Sequence, residues 1–191
     1  MSKHWYCRTV RARGRGAWAL VLVAVLVLVA VLAAACSSGG TPSTQAPRPA
    51  GANPSAIAVE VCARDAVSEI DSALGEKASV STPTWVDHRY SCRYRYADGS
   101  IELSVKELSS WAETLQYFDS LATSLGKSRD LTGLGQGAFQ TTDGSVVVRK
   151  DWKVLLVDSS GLPAQFGVPP TSSGDVAVTV GDVILGCWAG D

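Results

Sequence analysis

The sequence predicts an α+β fold, in which an antiparallel sheet packs against helices in the order helix–strands–helix–strands–helix. Apolar residues recur at helical spacing near the start, the middle and the end of the region that follows residue 54. Between these segments lie alternating or continuous aliphatic runs, which are typical of strands. The pairs Asp98-Gly99 and Asp143-Gly144 favour tight turns between neighbouring strands, so the sheet is expected to be antiparallel.

The first helix is predicted over Ser55–Leu74. Pro54 and Ser55 form a typical helix start, and Gly75 can supply the left-handed residue that often ends a helix. The apolar stripe of this helix consists of Ala58, Val61, Cys62, Ala66, Ile70, Ala73 and Leu74. This stripe is expected to pack against the sheet.

A hairpin is predicted to follow the first helix. The segment Tyr90–Tyr96 alternates between two faces, which indicates a strand. One face carries Cys92, Tyr94 and Tyr96, and the other carries Ser91, Arg93 and Arg95. Asp98-Gly99 then predicts a tight turn, and the alternation of residues 101–105 predicts the returning strand. A weaker strand is expected at Trp85-Val86.

A second helix is predicted over Trp111–Leu125. Ser110 and Glu113 have the spacing of a capping box, in which each side chain bonds the backbone N–H of the other residue. Gly126 can close the helix. The buried stripe is expected to contain Trp111, Leu115, Phe118, Leu121 or Ala122, and Leu125.

The second group of strands is predicted to be a meander. Its strands are Ala138–Thr141, Ser145–Lys150 and Lys153–Asp158, joined by turns at Asp143-Gly144 and near Asp151. Continuous aliphatic runs in the last two strands indicate that they are central in the sheet, because both of their faces would then be buried.

The last segment, Asp175–Trp188, follows a proline-rich loop. Its apolar residues Val176, Val180, Val183, Ile184 and Cys187 fit a helical stripe. Its many β-branched residues favour a strand instead, so the sequence leaves helix and strand open.

Residues 1–35 resemble a bacterial lipoprotein signal peptide. Residues 1–16 carry five basic side chains and no acidic one, and Ala17–Ala34 is uncharged and apolar. The run Leu32–Cys36 resembles a lipobox, with Ala33 at the place where a large aliphatic residue is usual. Cleavage before Cys36 would leave its thiol to carry a diacylglycerol, whose two acyl chains hold a protein stably on a bilayer. An uncleaved transmembrane anchor and plain secretion are the alternatives, because the apolar segment is long.

Cleavage before Cys36 would change the charge balance of the chain. It leaves 12 Lys and Arg against 18 Asp and Glu, a formal charge of −6. Such an acidic chain argues against a nucleic-acid partner, because binding to phosphates needs a basic surface. Residues 36–54 are rich in Ser, Thr, Pro, Ala and Gly, which predicts a disordered tether after the lipidated cysteine. Residues 55–191 are then expected to form one extracytoplasmic domain.

The sequence predicts neither a metal site nor a cofactor. One histidine, His88, follows Cys36, which is too few for a histidine-based zinc site. The glycines of Gly133–Gly137 resemble a dinucleotide-binding motif, but that motif lies between a strand and a helix. Here a helix is expected before the glycines and a strand after them. Their expected role is a tight backbone path into Ala138, and anion binding by successive amides is the alternative.

Arg89, Arg93 and Arg95, at and beside the predicted strand Tyr90–Tyr96, form with the interleaved tyrosines the densest polar and aromatic stretch. The simplest expectation is that its tyrosines point inward and its arginines into water. The alternative is a basic stripe that binds an anionic glycan, a polyphosphate or a lipid head group. Lys150 and other cations would then extend this stripe across the sheet. The candidate ligand-binding residues are Arg93, Arg95, Arg149 and Lys153.

Several segments together resemble a group of poorly characterised actinobacterial cell-envelope lipoproteins. These segments are Leu32–Gly40, Cys62, Ser91–Tyr94, Leu131–Phe139 and Val146–Val157. The resemblance covers about the whole of the predicted mature domain and implies an α+β fold and a cell-surface location. It implies no established reaction. In these proteins an Asp usually continues the Leu-Gly element, where this chain has Gln136.

The resemblance also implies a disulfide between Cys62 and Cys92. Three cysteines follow Cys36, and an oxidising compartment favours their pairing. Pairing of Cys187 with either of the other two is the alternative. With Cys62 and Cys92 paired, Cys187 is expected to be a small apolar core residue, and a redox or intermolecular role is the second possibility.

The leading functional hypothesis is a lipid-anchored, non-enzymatic domain on the extracytoplasmic face of the cell membrane. Its expected partners are the membrane, through a diacylglyceryl anchor, and an envelope protein or an anionic ligand. The alternatives are an envelope enzyme acting on a glycan or a lipid, and a sensor or accessory subunit of an envelope complex.

Overall fold

The structure is a computed structural model that describes residues 48–188, in which helices cover the two faces of an eight-stranded sheet unequally. The helices are α1 (Ala56–Glu60), α2 (Arg64–Leu74), α3 (Trp111–Ser124) and α4 (Ser173–Cys187). The strands are β1 (Ser79–Val80), β2 (Thr84–Val86), β3 (Arg89–Tyr96), β4 (Gly99–Glu107), β5 (Lys127–Leu131), β6 (Gly137–Thr141), β7 (Val146–Lys150), β8 (Lys153–Asp158), β9 (Gln165–Phe166) and β10 (Thr171–Ser172). The predicted signal peptide, the lipobox with Cys36 and the predicted tether as far as residue 47 lie outside the described residues.

The sheet has the strand order β1-β3-β4-β8-β7-β6-β5, and β2 also pairs with β3. Every strand pair in residues 48–188 is antiparallel. The pairing of β4 with β8 joins the first hairpin to the meander, with Leu103 opposite Val157. The α+β class and the antiparallel sheet are therefore confirmed. The predicted order of elements is matched only loosely, because two helices precede the first strands and the strands β1, β5, β9 and β10 were not predicted, whereas the weaker strand expected at Trp85-Val86 is β2.

One face of the sheet, here called the inner face, packs against α1, α2 and α4. Its core includes Tyr94, Leu103, Leu155 and Ile184, which are almost completely buried. Each large apolar side chain that is removed from water in this way contributes about 1.5–3 kcal/mol. This layer is the main core of the domain. Within the described part of the chain, no helix is long and apolar enough to cross a membrane.

The opposite face, here called the outer face, is only partly covered. The single helix α3 packs on β7 and β8, where Phe118 meets Phe139 edge to face with ring centroids 5.0 Å apart. Trp111 and Leu125, both predicted to be buried, are exposed instead. They lie at the two ends of α3, where the helix extends beyond the small apolar cluster that its middle covers. The outer side of β3 therefore faces solvent over much of its length, whereas the outer side of β4 is partly covered and its Ser104 is buried.

The first predicted helix is interrupted between α1 and α2. Ala63 has an extended backbone (φ −73°, ψ 156°), and Val61 precedes it with its carbonyl oxygen accepting a hydrogen bond from the hydroxyl of Tyr94 at 2.7 Å. Cys62 at the interruption is joined to Cys92 of β3, with their Cα atoms 6.1 Å apart. The predicted disulfide is confirmed, and its position explains why a continuous apolar stripe is divided.

The strand β5 was not predicted, because its side chains are mostly exposed and show no apolar alternation. It follows α3 directly, so the glycines of Gly133–Gly137 follow a strand and not a helix, which corrects the expectation. They form the loop between β5 and β6. Gly135 has φ 55°, and a Cβ atom there would lie 2.7 Å from the carbonyl oxygen of Arg149. Since β6 follows, the loop does not have the strand–helix geometry of a dinucleotide site.

The last segment is the helix α4, which settles the choice between helix and strand. Val176, Val180 and Ile184 of the predicted stripe are buried against the inner face, whereas Cys187 is only half-buried. The β-branched residues of α4 fit because their side chains contact the sheet. Burial of this face outweighs their modest helix propensity, which costs less than about 1 kcal/mol per residue.

Two tight turns define one end of the sheet, here called the basal end. Asp87 and His88 join β2 to β3 with φ values of 49° and 55°, and Asp151 and Trp152 join β7 to β8 with φ values of 49° and 60°. Two successive positive φ values match the twist of the flanking strands. They cost residues other than glycine roughly 1–2 kcal/mol each. The opposite end, here called the distal end, contains the turns after β3 and β6.

Replacing both Cys62 and Cys92 with alanine is expected to lower the free energy of unfolding by about 3–4 kcal/mol. The reason is that the bond closes a chain segment with a sequence separation of 30 residues, which restricts the unfolded state. Urea titration followed by circular dichroism measures the change. A loss below about 1 kcal/mol would contradict a stabilising role of this size.

Candidate functional site

The candidate site is the exposed outer side of β3 and β4. Alternation along β3 places Arg89, Arg93 and Arg95 on this side, and all three are exposed. Alternate residues of a strand are about 7 Å apart, so Arg93 lies about 7 Å from Arg95 and about 13 Å from Arg89. These three residues, here called the arginine stripe, form a line that runs from the basal end towards the distal end.

Lys106 of β4 adds a fourth cation to this surface. It lies opposite Arg89, and its Nζ donates a hydrogen bond to the carbonyl oxygen of Asp87. The Nη2 of Arg89 donates to the hydroxyl of Tyr117 on α3 at 3.0 Å. The predicted set of residues does not contain Lys106, although the sequence carries a signal for it. A tight turn that places Tyr96 opposite Gly99 fixes the register that pairs residue 106 with residue 89.

Arg93 and Arg95 differ in their surroundings. The Nη2 of Arg93 lies 2.7 Å from Oε2 of Glu102 on the neighbouring strand, and this hydrogen-bonded pair raises the pKa of Arg93. Within residues 48–188, Arg95 has no ion pair. The charge of Arg93 is therefore partly balanced by the protein, whereas Arg95 presents its full charge to solvent.

Small hydroxyl side chains lie between the cations. The register places Thr84, Ser91 and Ser104 side by side across β2, β3 and β4 on the outer face. The hydroxyl oxygens of Thr84 and Ser91 are 3.0 Å apart and hydrogen-bonded to each other. A ligand lying across this surface would meet the hydroxyl groups of Thr84 and Ser91 with guanidinium groups on either side, whereas Ser104 is buried beneath its neighbours.

Arg149 does not extend the arginine stripe in the way that the sequence predicted. It is on the outer face, in the row Arg89–Lys106–Val154–Arg149, but it lies three strands away from β3 and at the edge of α3. Its guanidinium carbon is 4.6 Å from the centre of the Trp111 ring. This cation–π contact directs Arg149 towards α3, so it belongs to the packing of that helix.

The prediction that Lys153 extends the arginine stripe is also wrong. It lies on the inner face, opposite Glu107, and only 8% of its side chain is exposed. Lys150 is on the inner face too, where its Nζ donates to the carbonyl oxygen of Trp188 at 3.0 Å. The two-residue period of a strand explains this error. Arg149 and Lys150 necessarily point to opposite sides of the sheet, and Lys153 lies opposite Lys150 on the neighbouring strand.

The described residues offer no obvious catalytic centre. Between the β5–β6 loop and α4 lies an open cleft of about 340 Å³, lined by Leu131, Leu134 and Asp182 among others. His88 lies in the turn between β2 and β3, several strands away from this cleft. Its Nδ1 donates a hydrogen bond to the carbonyl oxygen of Gly51 at 3.0 Å. Across residues 48–188, no three His, Cys, Asp or Glu side chains are grouped so that they could hold a metal ion.

Two tyrosines lie on the inner side of β3, opposite the arginine stripe. Tyr94 and Tyr96 point into the core as predicted, and burial raises the pKa of both phenols. The two hydroxyl groups differ, because that of Tyr94 donates to the carbonyl oxygen of Val61, whereas that of Tyr96 is buried and has no hydrogen-bond partner within residues 48–188. The two side chains form a matched pair two residues apart on one strand.

Comparisons of the chain with protein-family models, with curated proteins and with solved structures find no match in any of the three. The functional interpretation therefore depends on the geometry of the site and on the sequence.

The two tyrosines give a test of the packing beneath the stripe. Tyr94→Phe is expected to lower the free energy of unfolding by about 1–2 kcal/mol, because it removes a buried hydrogen bond. Tyr96→Phe is expected to be neutral or stabilising, because no hydrogen bond is lost. Urea titration of both variants checks this order, and an equal loss in the two would contradict it.

Alkaline pH gives a second readout of the same pair. A raised pKa in the folded state means that the unfolded chain loses these protons first. Stability is therefore fully present below about pH 10 and falls above it, by roughly 1.4 kcal/mol per pH unit for each phenol. Tyr96→Phe should remove one phenol from this slope when unfolding is measured between neutral and alkaline pH. An unchanged slope would show that the Tyr96 phenol does not contribute.

Proposed function

We propose that the chain is a lipid-anchored protein of the extracytoplasmic face of the cell membrane, and that its outer face binds an anionic ligand without catalysing a reaction. The lipobox-like run ending at Cys36 supports the anchor. The exposed arginine stripe with Lys106 supports the binding role and is the observation on which that role depends. This proposed function agrees with the resemblance of the sequence to actinobacterial envelope lipoproteins.

The geometry of the stripe favours an extended ligand. Its cations follow one another along about 20 Å of strand and do not converge on one point. A guanidinium group presents a planar pair of donors that matches a carboxylate or a phosphate. A chain-like molecule with repeated phosphate or carboxylate groups could therefore contact several of these cations at once.

Glu102 supports a reversible mode of binding. An anionic ligand that reaches Arg93 has to compete with the carboxylate of Glu102, which already lies 2.7 Å from that guanidinium. The pair lies at an exposed site, where solvent screens its charges and little stability is lost when it breaks. Exchange of one anion for another at Arg93 should therefore be easy.

The anchor is tested by Cys36→Ser in the full-length chain. The variant is expected to leave the membrane fraction, because serine cannot accept the diacylglycerol that holds the protein on the bilayer. Immunoblotting of membrane and soluble fractions measures the shift, and mass spectrometry of the wild-type chain checks for lipid on Cys36. Retention of the variant at the membrane would favour the uncleaved transmembrane anchor.

The binding role is tested with inorganic polyphosphate as the probe. Arg95→Ala is expected to weaken binding about threefold to tenfold, because it removes an exposed cation that is free to contact the ligand. Arg64→Ala is the matched control, since Arg64 is an exposed arginine at the start of α2 on the other side of the sheet. Isothermal titration at several salt concentrations measures the affinities.

Glu102→Gln supplies a change of opposite sign. Removing its negative charge frees Arg93, so the affinity for polyphosphate is expected to rise. A polyanion that bound the domain without using the stripe would respond equally to Arg95→Ala and Arg64→Ala and would be indifferent to Glu102→Gln. That pattern would overturn the binding role and leave the anchor unaffected.

A further inference from the structure

We infer that the open cleft between the β5–β6 loop and α4 binds a small aliphatic amine. The ammonium group of this ligand would lie at the carboxylate of Asp182, and its hydrocarbon stem would lie against the apolar wall of the cleft. The inference goes beyond the proposed function and does not rest on it, because the cleft lies beside α4 and shares no residue with the arginine stripe.

The cleft has the size of a small-molecule site and a lining of two kinds. Its volume of about 340 Å³ is at the lower end of the range for such sites. The apolar wall contains Leu134, which is 6% exposed, and Leu131 and Val178, which are half-buried. Val178 and Asp182 are four residues apart on α4, so the carboxylate lies one helical turn from this wall. The polar side chains of the lining are Thr132, Thr179 and Asp182.

Asp182 is the charged residue of the lining, and it is exposed. Within residues 48–188 its carboxylate accepts no hydrogen bond and forms no ion pair. Asp175, the other acidic residue of α4, accepts a hydrogen bond from the Ser172 hydroxyl at 2.7 Å and belongs to the helix start. Lys150, a cation near the end of α4, donates to the carbonyl oxygen of Trp188. The cleft therefore presents one negative charge that the described residues do not neutralise.

The β5–β6 loop is fixed independently of any ligand. The backbone N–H of Gln136 donates to the carbonyl oxygen of Arg149 at 2.9 Å. The side-chain amide of Gln136 forms two hydrogen bonds with Asp151, one donated to its carboxylate at 2.9 Å and one accepted from its backbone N–H at 3.1 Å. A wall that is already held in place loses little conformational entropy when a ligand binds.

The tip of the same loop leaves space beside the cleft. Gly133 has φ 84°, and within the described part of the chain nothing beyond its immediate neighbours lies within 4 Å of where a Cβ atom would be. A ligand can therefore enter past Gly133 without displacing a side chain.

The lining selects among cations. A primary ammonium group has three N–H donors, which suit the carboxylate of Asp182 together with the hydroxyls of Thr132 and Thr179. A quaternary ammonium is typically bound by aromatic rings, and the described lining contains none. No three His, Cys, Asp or Glu side chains of residues 48–188 are grouped so that they could hold a metal ion. An alkyl ammonium is the cation that uses both the carboxylate and the apolar wall.

The test titrates butylamine into the full-length chain in nonionic detergent micelles and follows the backbone amides by heteronuclear NMR. The amides of Gly133, Val178 and Thr179 are expected to shift together with one dissociation constant. Two related probes separate the contributions, because butanol has the stem without the charge and methylamine has the charge without the stem. Each is expected to bind about tenfold more weakly than butylamine, since it keeps one of the two contacts.

Variants make the test specific. Asp182→Asn keeps the size of the side chain and removes its charge, so the affinity for butylamine is expected to fall about tenfold. Asp119→Asn is the matched control, because Asp119 is an exposed carboxylate on α3 at the other face of the sheet, and it should leave the affinity unchanged. Val178→Thr makes the apolar wall more polar and should weaken binding about threefold. Amides outside the cleft report whether each variant stays folded.

Three results would overturn the inference. The first is the absence of shifts at the three amides up to about 50 mM butylamine. The second is an affinity for butanol or methylamine equal to that for butylamine, because the cleft would then not recognise a charge and a stem together. The third is an equal effect of Asp182→Asn and Asp119→Asn, which would show general attraction of a cation to an acidic chain. None of these results would affect the arginine stripe.

Discussion

The two-residue alternation of β3 is the constraint on which the rest of the domain depends. It sends Cys92, Tyr94 and Tyr96 into the core and Arg93 and Arg95 into solvent. A shift of one residue would bury the arginines and expose the tyrosines, so the hydrophobic effect fixes the register firmly. The same strand therefore anchors the main core, carries the disulfide and presents the candidate binding surface.

The helix α3 covers only part of the outer face because the two halves of that face differ in their apolar surface. The outer side of β6, β7 and β8 carries Phe139, Val147 and Val154, which attract the apolar side of α3. The outer side of β3 and β4 carries hydroxyl groups, arginines and Glu102, which gain nothing from being covered by a helix. One polar half of one face is consequently left without a covering helix, and this is where the proposed ligand would bind.

Sequence patterns predicted the elements that have strong periodicity. The hairpin of β3 and β4, the meander and α3 all follow from alternation, turn residues and a capping box. The pattern could not show the interruption at Cys62, because the apolar stripe continues across it and the break depends on partners on β3. It could not show β5, whose side chains are exposed on both sides. Of the four candidate ligand-binding residues, Arg93 and Arg95 share a surface, whereas Arg149 and Lys153 required the pairing of β4, β8 and β7 to be placed.

The bond between Cys62 and Cys92 has a consequence for the timing of folding. A reducing cytoplasm would keep both thiols open, and the chain there would be less stable by about 3–4 kcal/mol, which is a large share of the stability of an ordinary domain. An exported chain has to remain unfolded until it has crossed the membrane. If the chain is exported as proposed, the missing cross-link would help to keep its precursor unfolded before translocation, and forming the bond outside would stabilise the folded state.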